Sequence, residues 1–293
     1  MILVTGATGS IGTHLVGLLR ERDVPLRALV RDEAKGHTLD CDYVVGDFDD
    51  PGSLPAAMEG VDQLLLNAGG AVPVEGEQPM VRQQKAAIDA ACAAGVSRVV
   101  KVSVWPVHQG GRLAVGAHWE IEEHLRASGL GWTMLRPSAF MQNFLSGAGA
   151  YTADGELVDP YSGAPVSYVD CYDIAACAAA LLTGPGGLGE AYVLTGPRAL
   201  THAEIARELS AALGRTVGHV ELSPEEVASA LRAQGLPKRF ADDVAELSRQ
   251  VADGALATPT TAVRDLIGRE PRTFGEFLAA NAQALRAERI ATA

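Results

Sequence analysis

At 293 residues, 47% of them apolar and 20% charged, the chain can bury a substantial core and is globular rather than disordered. A formal charge of −12 with no basic stripe argues against nucleic acid as a partner, because phosphate binding needs a cationic surface. The most apolar run, Ile174 to Leu182, is far too short to span a bilayer, so no membrane partner is expected.

Met1-Ile2-Leu3-Val4-Thr5 reads as an apolar strand beginning at residue 2, which leaves no room for a signal or transit peptide and points to a cytoplasmic protein. It empties into Gly6-Ala7-Thr8-Gly9-Ser10-Ile11-Gly12, after which Ile11, Leu15, Leu18 and Leu19 share one helical face. Strand, glycine turn and helix in that order build a pyrophosphate site. The glycines allow a tight turn and close approach, and the helix N-terminus offers unpaired N–H groups with a partial positive charge. Gly6, Thr8, Gly9, Ser10, Ile11 and Gly12 are therefore candidate dinucleotide contacts; the alternative is an ordinary tight strand-to-helix turn.

The second predicted strand, Pro25 to Val30, ends at Arg31, about 20 residues past the glycine turn. An acidic residue there selects the ribose 2′-hydroxyl of NAD, whereas arginine suits the 2′-phosphate of NADP. Arg31, with Lys35 nearby, favours NADP(H); Asp32 would take the acidic role if the strand ran one residue further, and Arg31 as a plain surface cation is the other alternative. Strand three, Tyr43 to Val45, leads into Gly46-Asp47-Phe48, a carboxylate for the adenine amino group and a ring beside it. Strand four, Val61 to Leu66, leads into Asn67-Ala68-Gly69-Gly70, small residues that let backbone pass close to the nicotinamide ribose; simple turn chemistry is the alternative for each loop taken alone. Further strands are predicted at Arg98 to Val104 and Trp132 to Leu135, with helices at Ser53–Glu59, Met80–Ala94 and Ala117–Ser128. Gln63-Leu64-Leu65-Leu66 and Val99-Val100-Lys101-Val102 read as apolar on both faces, as strands of a buried parallel sheet do. The alternation gives an α/β fold, a Rossmann-like doubly wound parallel sheet.

Beyond Pro137 regular signals thin out. A strand at Ala191 to Leu194 is followed by Thr201-His202-Ala203-Glu204, a capping-box start to a helix at Ile205–Leu213, and by strand-like His219-Val220-Glu221. Residues 1–137 are expected to form the dinucleotide-binding domain, completed by strands from about 164–196; residues 138–163 and 197–293 are expected to form a small, mainly helical substrate lobe. Cys41, Cys92, Cys171 and Cys177 lack metal-ligand spacing, so no zinc site or disulfide frame is expected and reduced, buried thiols are the default. Cys171 and Cys177 read as small core fillers of an Ala-rich helix.

With these residues in view, the chain resembles the short-chain dehydrogenase/reductase superfamily, in its atypical NmrA-like branch. The likeness is carried by Thr5 through Gly12, Gly46-Asp47, Lys101-Val102-Ser103, His118 through Leu125, Ser128-Gly129-Leu130 and Leu135-Arg136-Pro137. It continues in Phe140-Met141-Gln142-Asn143-Phe144 and Val169 through Ala175, so it covers nearly the whole chain. The resemblance implies an NADP(H)-binding protein. That branch includes quinone reductases, triphenylmethane-dye reductases, ketoreductases and redox-sensing regulators without enzymatic activity. It also places Ser103 where a serine bonds a substrate oxygen. The departure from the superfamily is the absence of its Tyr-x-x-x-Lys pair: the corresponding helix reads His118-Trp119-Glu120-Ile121-Glu122.

His118 and Glu122 lie one turn apart on the face shared with Ile121 and Leu125, so both are expected to point inward. His118, with an ordinary pKa of ~6.5, is the best local proton source, and a core histidine bonded to a neighbour is the competing reading. Glu122 is expected to hold the imidazole or a ribose hydroxyl. His108, in the loop after strand five, is a second candidate acid; a third route takes the proton from water or from a phenol on the acceptor itself. Trp105 and Pro106, with Phe140, Met141, Asn143 and Phe144, are expected to line a pocket for a flat aromatic molecule, and packing of the lobe competes as an explanation for Phe144. The segment Gly147–Gly155 is a candidate lid. The resulting expectation is an NADPH-dependent reductase of a carbonyl or quinone on a bulky aromatic substrate, acting as a monomer or homodimer; its rival is a cofactor-sensing regulator.

Overall fold

Short apolar strands followed by one-faced helices leave little choice but a layered sheet. The computed structural model describes residues 1–145, 151–152 and 154–287. The chain runs β1 (Ile2–Val4), α1 (Ser10–Arg20), β2 (Leu26–Val30), α2 (Glu33–Gly36), β3 (Asp42–Val45), α3 (Leu54–Met58), β4 (Gln63–Leu66) and α4 (Pro79–Ala93). It continues through β5 (Arg98–Val102), α5 (Ala114–Ala127), β6 (Gly131–Pro137), β7 (Leu157–Asp159), α6 (Cys171–Thr183) and β8 (Glu190–Leu194). The described residues place β3-β2-β1-β4-β5-β6-β8 in one seven-stranded sheet, every pair parallel.

Strand residues alternate between two cores. Ile2, Val4, Ala28, Val30, Val100 and Val102 face α1 and α6; Leu3, Leu29, Leu64, Leu66 and Val99 face α3, α4 and α5. Cys171 and Cys177 are buried in α6, as their surroundings imply, but Cys92 is exposed and Cys41 half-buried, so not every thiol is a core filler. Among the described residues no helix is long and apolar enough to cross a membrane.

The remaining elements are α7 (His202–Leu213), β9 (His219–Glu221), α8 (Pro224–Ala233), α9 (Lys238–Ala252), α10 (Ala262–Ile267), α11 (Phe274–Ala280) and α12 (Ala282–Ala287). Thr201 and Glu204 form the expected capping box at α7. β7 and β9 make a separate two-stranded parallel ladder beneath a core of Phe144, Tyr168, Ile205, Leu209, Phe274 and Phe277. Helices α8 and α9 form a hairpin around Ala228, Ala241 and Ala245, and Val251 of α9 enters the lobe core. The hairpin also meets the part of the chain that forms the large sheet through charge. Arg112 lies 3.2 Å from Asp243, and Arg239 donates to the Glu75 carbonyl at 3.3 Å. The stretch 197–293 is not wholly lobe, because α10 packs on α6 and Val263 joins the core of the large sheet.

Candidate active site

β1 and β4 are sheet neighbours although the chain places two strands between them, so their carboxyl ends flank a topological switch point, the place where open α/β sheets hold ligands. A cleft of about 410 Å³ opens there. Gly6, Thr8, Arg31, Asp47, Phe48, Asn67, Ala68 and Gly69 all line it, brought together from four different strand ends. Asp49, Met80 and Gln83 line it too, and the sequence did not single them out.

The backbone geometry of the turn suits a diphosphate. Gly6 sits at φ +62°, and a Cβ there would lie 2.9 Å from the Asn67 carbonyl oxygen. A Cβ on Gly12 would lie 2.1 Å from the Gly6 carbonyl, so only glycine lets α1 press onto the turn. Gly9 is the N-cap of α1 and supplies no side-chain cap, which leaves first-turn N–H groups free for an anion. Ile11 is buried in the sheet core, so its contribution, like those of Ser10 and Gly12, would come from backbone at the helix start rather than from the cleft wall. Thr5 ties the two loops together: its hydroxyl accepts the Asn67 N–H at 2.9 Å and donates to the Asn67 carbonyl at 2.8 Å.

The condition for an acidic role at Asp32, a longer second strand, is not met. β2 ends at Val30, and the Asp32 carboxylate caps α2 by accepting the Ala34 N–H at 2.9 Å. Arg31 is exposed and faces the cleft, whereas Lys35 is exposed on α2 and outside the lining. Asp49 is clamped by Arg82 at 2.5 Å and Gln83 at 2.8 Å, which holds its carboxyl below the usual range. The turn, the free helix start and the arginine at the second strand end together fit a phosphorylated dinucleotide.

At the end of β5 the polar groups are tied differently from what helix spacing implied. Ser103 is buried and donates to Glu122 Oε1 at 2.6 Å. Glu122 does not hold His118. Its fully buried carboxylate accepts from Arg136 Nε at 3.1 Å and Nη2 at 2.5 Å, and from Arg126 Nη2 at 2.8 Å. Burial alone would raise this carboxyl, but Arg136, Ser103 and Lys101 outweigh it and hold it below its ordinary value. With its proton committed to Glu122, Ser103 offers a ligand lone pairs rather than a proton.

His118 also turns inward, with its Nδ1 2.8 Å from Lys101 Nζ. Burial first, and the Lys101 charge second, push its pKa well below the ordinary histidine value, so the expectation of an imidazole near 6.5 does not hold. Lys101 breaks the reading of β5 as apolar on both faces. It is fully buried, it donates to Gln84 Oε1 at 3.0 Å and to the Val102 carbonyl at 3.1 Å, and burial lowers it to about 7. His108 is exposed and its Nδ1 lies 3.0 Å from the Gln109 carbonyl.

The aromatic residues divide. Trp105 and Phe140 are partly buried and Asn143 is exposed, but Met141 and Phe144 belong to the lobe core. The Phe144 ring meets Tyr168, Phe274 and His202 edge-on, so packing explains it and a cleft does not. Much of the candidate lid, residues 147–150 and 153, lies outside the described residues.

The sequence pattern of the NmrA-like family matches residues 1–278. The chain belongs to the NmrA-like family. An NAD(P)H azoreductase from Xenophilus azovorans is 39% identical over 292 residues, covering 98% of this chain and 100% of the relative. The crystal structure of an NADPH-dependent quinone oxidoreductase from Escherichia coli, complexed with NADPH, superposes with a TM-score of 0.80 at 30% identity, over 96% of this chain and 99% of that one. The triphenylmethane reductase of a Citrobacter species, complexed with NADP(H), gives a TM-score of 0.80 at 27% identity, over 96% and 99% of the two chains.

Proposed function

We propose that this NAD(P)H-dependent oxidoreductase uses NADPH to reduce conjugated aromatic acceptors: quinones, azo compounds and carbonyls of bulky aromatic molecules, polyketides among them. The observation that carries the reading is the cleft at the switch point, where a glycine turn, a bare helix start and Arg31 converge. The named activities of the azo, quinone and dye reductases that this chain resembles over nearly its whole length support it.

Gly6, Thr8, Gly9, Ser10, Ile11 and Gly12 would hold the diphosphate, Arg31 the 2′-phosphate, Asp47 and Phe48 the adenine, and Asn67, Ala68 and Gly69 the nicotinamide ribose. When bound, the reduced nicotinamide supplies the hydride. The chain's own task is to place the acceptor and manage a proton. Helix α5 carries no tyrosine, so the phenol acid of most short-chain reductases has no counterpart there. Ser103 would accept a hydrogen bond from a hydroxyl on the acceptor, and neutral His118 would donate one. Conjugated acceptors suit this site because they spread the developing charge and ask less of a protein acid.

The test mixes purified protein and NADPH with menadione, methyl red and a panel of polycyclic ketones, following the absorbance of the reduced cofactor. Oxidation that requires both protein and acceptor supports the reading. Tight cofactor binding with no consumption across the panel would overturn it in favour of a cofactor-sensing regulator.

A further inference from the structure

Lys101 and Ser103 alternate with Val100 and Val102 along the end of β5, so both face α4 and α5, and the reading above uses only Ser103. Lys101 is 0% exposed. A buried ammonium is tolerated only where its protons find partners. Here three acceptors surround three protons: Gln84 Oε1, the Val102 carbonyl and His118 Nδ1. An ammonium has no lone pair, so His118 must accept at Nδ1, and the proton of the neutral ring must sit on Nε2. No hydrogen-bond partner is found for Nε2 among the described residues, and the residue keeps 8% of its exposure.

The topology places His118 toward the carboxyl edge of the sheet. β5 and β6 are parallel, so α5 returns antiparallel to them, and positions early in α5 are nearest the carboxyl edge of the sheet. Glu122 already reaches Ser103, the first residue beyond β5, and His118 lies one turn closer to the edge. The same edge carries the nucleotide cleft, which Met80 and Gln83 of α4 line, just before Gln84.

We propose that Lys101 and His118 form a proton relay to the hydride acceptor: His118 gives its Nε2 proton to the developing oxyanion while taking a proton from the Lys101 ammonium at Nδ1. The proposal rests on the reductase reading. For a carbonyl acceptor, the carbon gains a hydride with its electron pair from reduced nicotinamide, and the oxygen gains the proton. The Nε2–H and one Nζ–H bond break while O–H and Nδ1–H bonds form, leaving a neutral amine and the other imidazole tautomer. After product leaves, a water-derived proton returns at Nε2 and the Nδ1 proton passes back to Lys101. His118 is the group that meets substrate; Lys101 acts through it, as a positioning residue and proton store.

The electrostatics suit such a store. Burial brings Lys101 down to about 7, opposed by Glu122. The groups facing it are neutral Gln84 from α4 and His118 and Glu122 from α5, with Leu66 and Met134 beside it on β4 and β6. Glu122 is the carboxylate among them, and it favours the ammonium. Because the donor is the protonated lysine, reduction should decline as pH rises through its titration.

Two measurements test the relay. In ¹⁵N spectra of imidazole-labelled protein, His118 should carry its proton on Nε2 below about pH 7 and on Nδ1 above it, with no inversion in Lys101→Met. A tautomer that stays fixed from pH 5.5 to 9, or that inverts equally in Lys101→Met, overturns the relay; this arm needs no turnover, so it is separable from failure of the reductase reading. In the second, kcat/KM for reduction of 9,10-phenanthrenequinone should fall about tenfold per pH unit on the alkaline side. Gln84→Glu, nearly isosteric, places a second carboxylate beside Lys101 and should move that limb upward by at least one pH unit, whether or not Lys101→Met folds. A limb that stays in place in folded Gln84→Glu overturns the proposal.

Discussion

Replacing Glu122 with glutamine tests whether its carboxylate is the knot that joins β5, β6 and α5. The side chain is 0% exposed and accepts from Ser103, Arg126 and Arg136, the two arginines being 30% and 19% exposed. Removing one partner of a buried ion pair costs ~3–5 kcal/mol, because the remaining charge stays desolvated. The amide keeps one acceptor oxygen and the arginines reach some solvent, so the lower end, about 3 kcal/mol, is the expectation. That is roughly a 150-fold change in the folded-to-unfolded ratio. At about 2–4 °C per kcal/mol it lowers Tm by roughly 6–12 °C. Urea and thermal unfolding of both proteins at pH 7 measure it. The pH dependence has a definite sign. Glu122 titrates lower when folded than when unfolded, so its contribution is complete above about pH 4.5 and is lost as pH falls through the folded value. The gap between wild type and Glu122→Gln should therefore narrow in acid. A loss below about 1 kcal/mol at pH 7, or a gap unchanged on acidification, would refute the reasoning.

Arg31→Ala should weaken NADP⁺ binding about 10- to 100-fold in calorimetry, the worth of a charge-assisted phosphate contact, and leave NAD⁺ nearly unaffected; equal losses for both would remove Arg31 from the 2′-phosphate. Gly12→Ala should cost at least ~1–3 kcal/mol and impair nucleotide binding, since its methyl would lie 2.1 Å from the Gly6 carbonyl, whereas Gly69→Ala meets open space and should unfold like the wild type. Thr201→Ala removes one half of the α7 capping box and should cost about 1 kcal/mol in urea unfolding, with nucleotide affinity unchanged.

The convergence of Gly6, Arg31, Asn67 and Gly69 on one cleft was legible because its signals are local. A glycine turn between strand and helix, an arginine one residue past β2 and small residues past β4 are each read within a few positions, and parallel topology then brings them together. The polar wall behind β5 was harder. Helix spacing correctly sent His118 and Glu122 inward, but their partners, Lys101 and Arg136, come from other strands, and no spacing rule links them. A signal for Lys101 did exist: a lysine among valines in a strand buried on both faces has no solvent to reach, so it demands acceptors from neighbouring helices. Phe144 and Met141 illustrate a different limit. Lining a pocket and filling a lobe core call for the same side chains, and only the lobe's packing separates the two uses.

The α8–α9 hairpin is rooted at one end and moored at the other. Val251 anchors it in apolar packing, which salt does not weaken, whereas the opposite end is held by the Arg112–Asp243 pair, 53% and 13% exposed, and by the hydrogen bond from Arg239 to the Glu75 carbonyl. Such surface pairs contribute ~0–1 kcal/mol each and are screened over about 8 Å at physiological ionic strength. Added electrolyte should therefore weaken the charged tether while sparing the apolar root, so the two ends of the hairpin differ in their response to the medium.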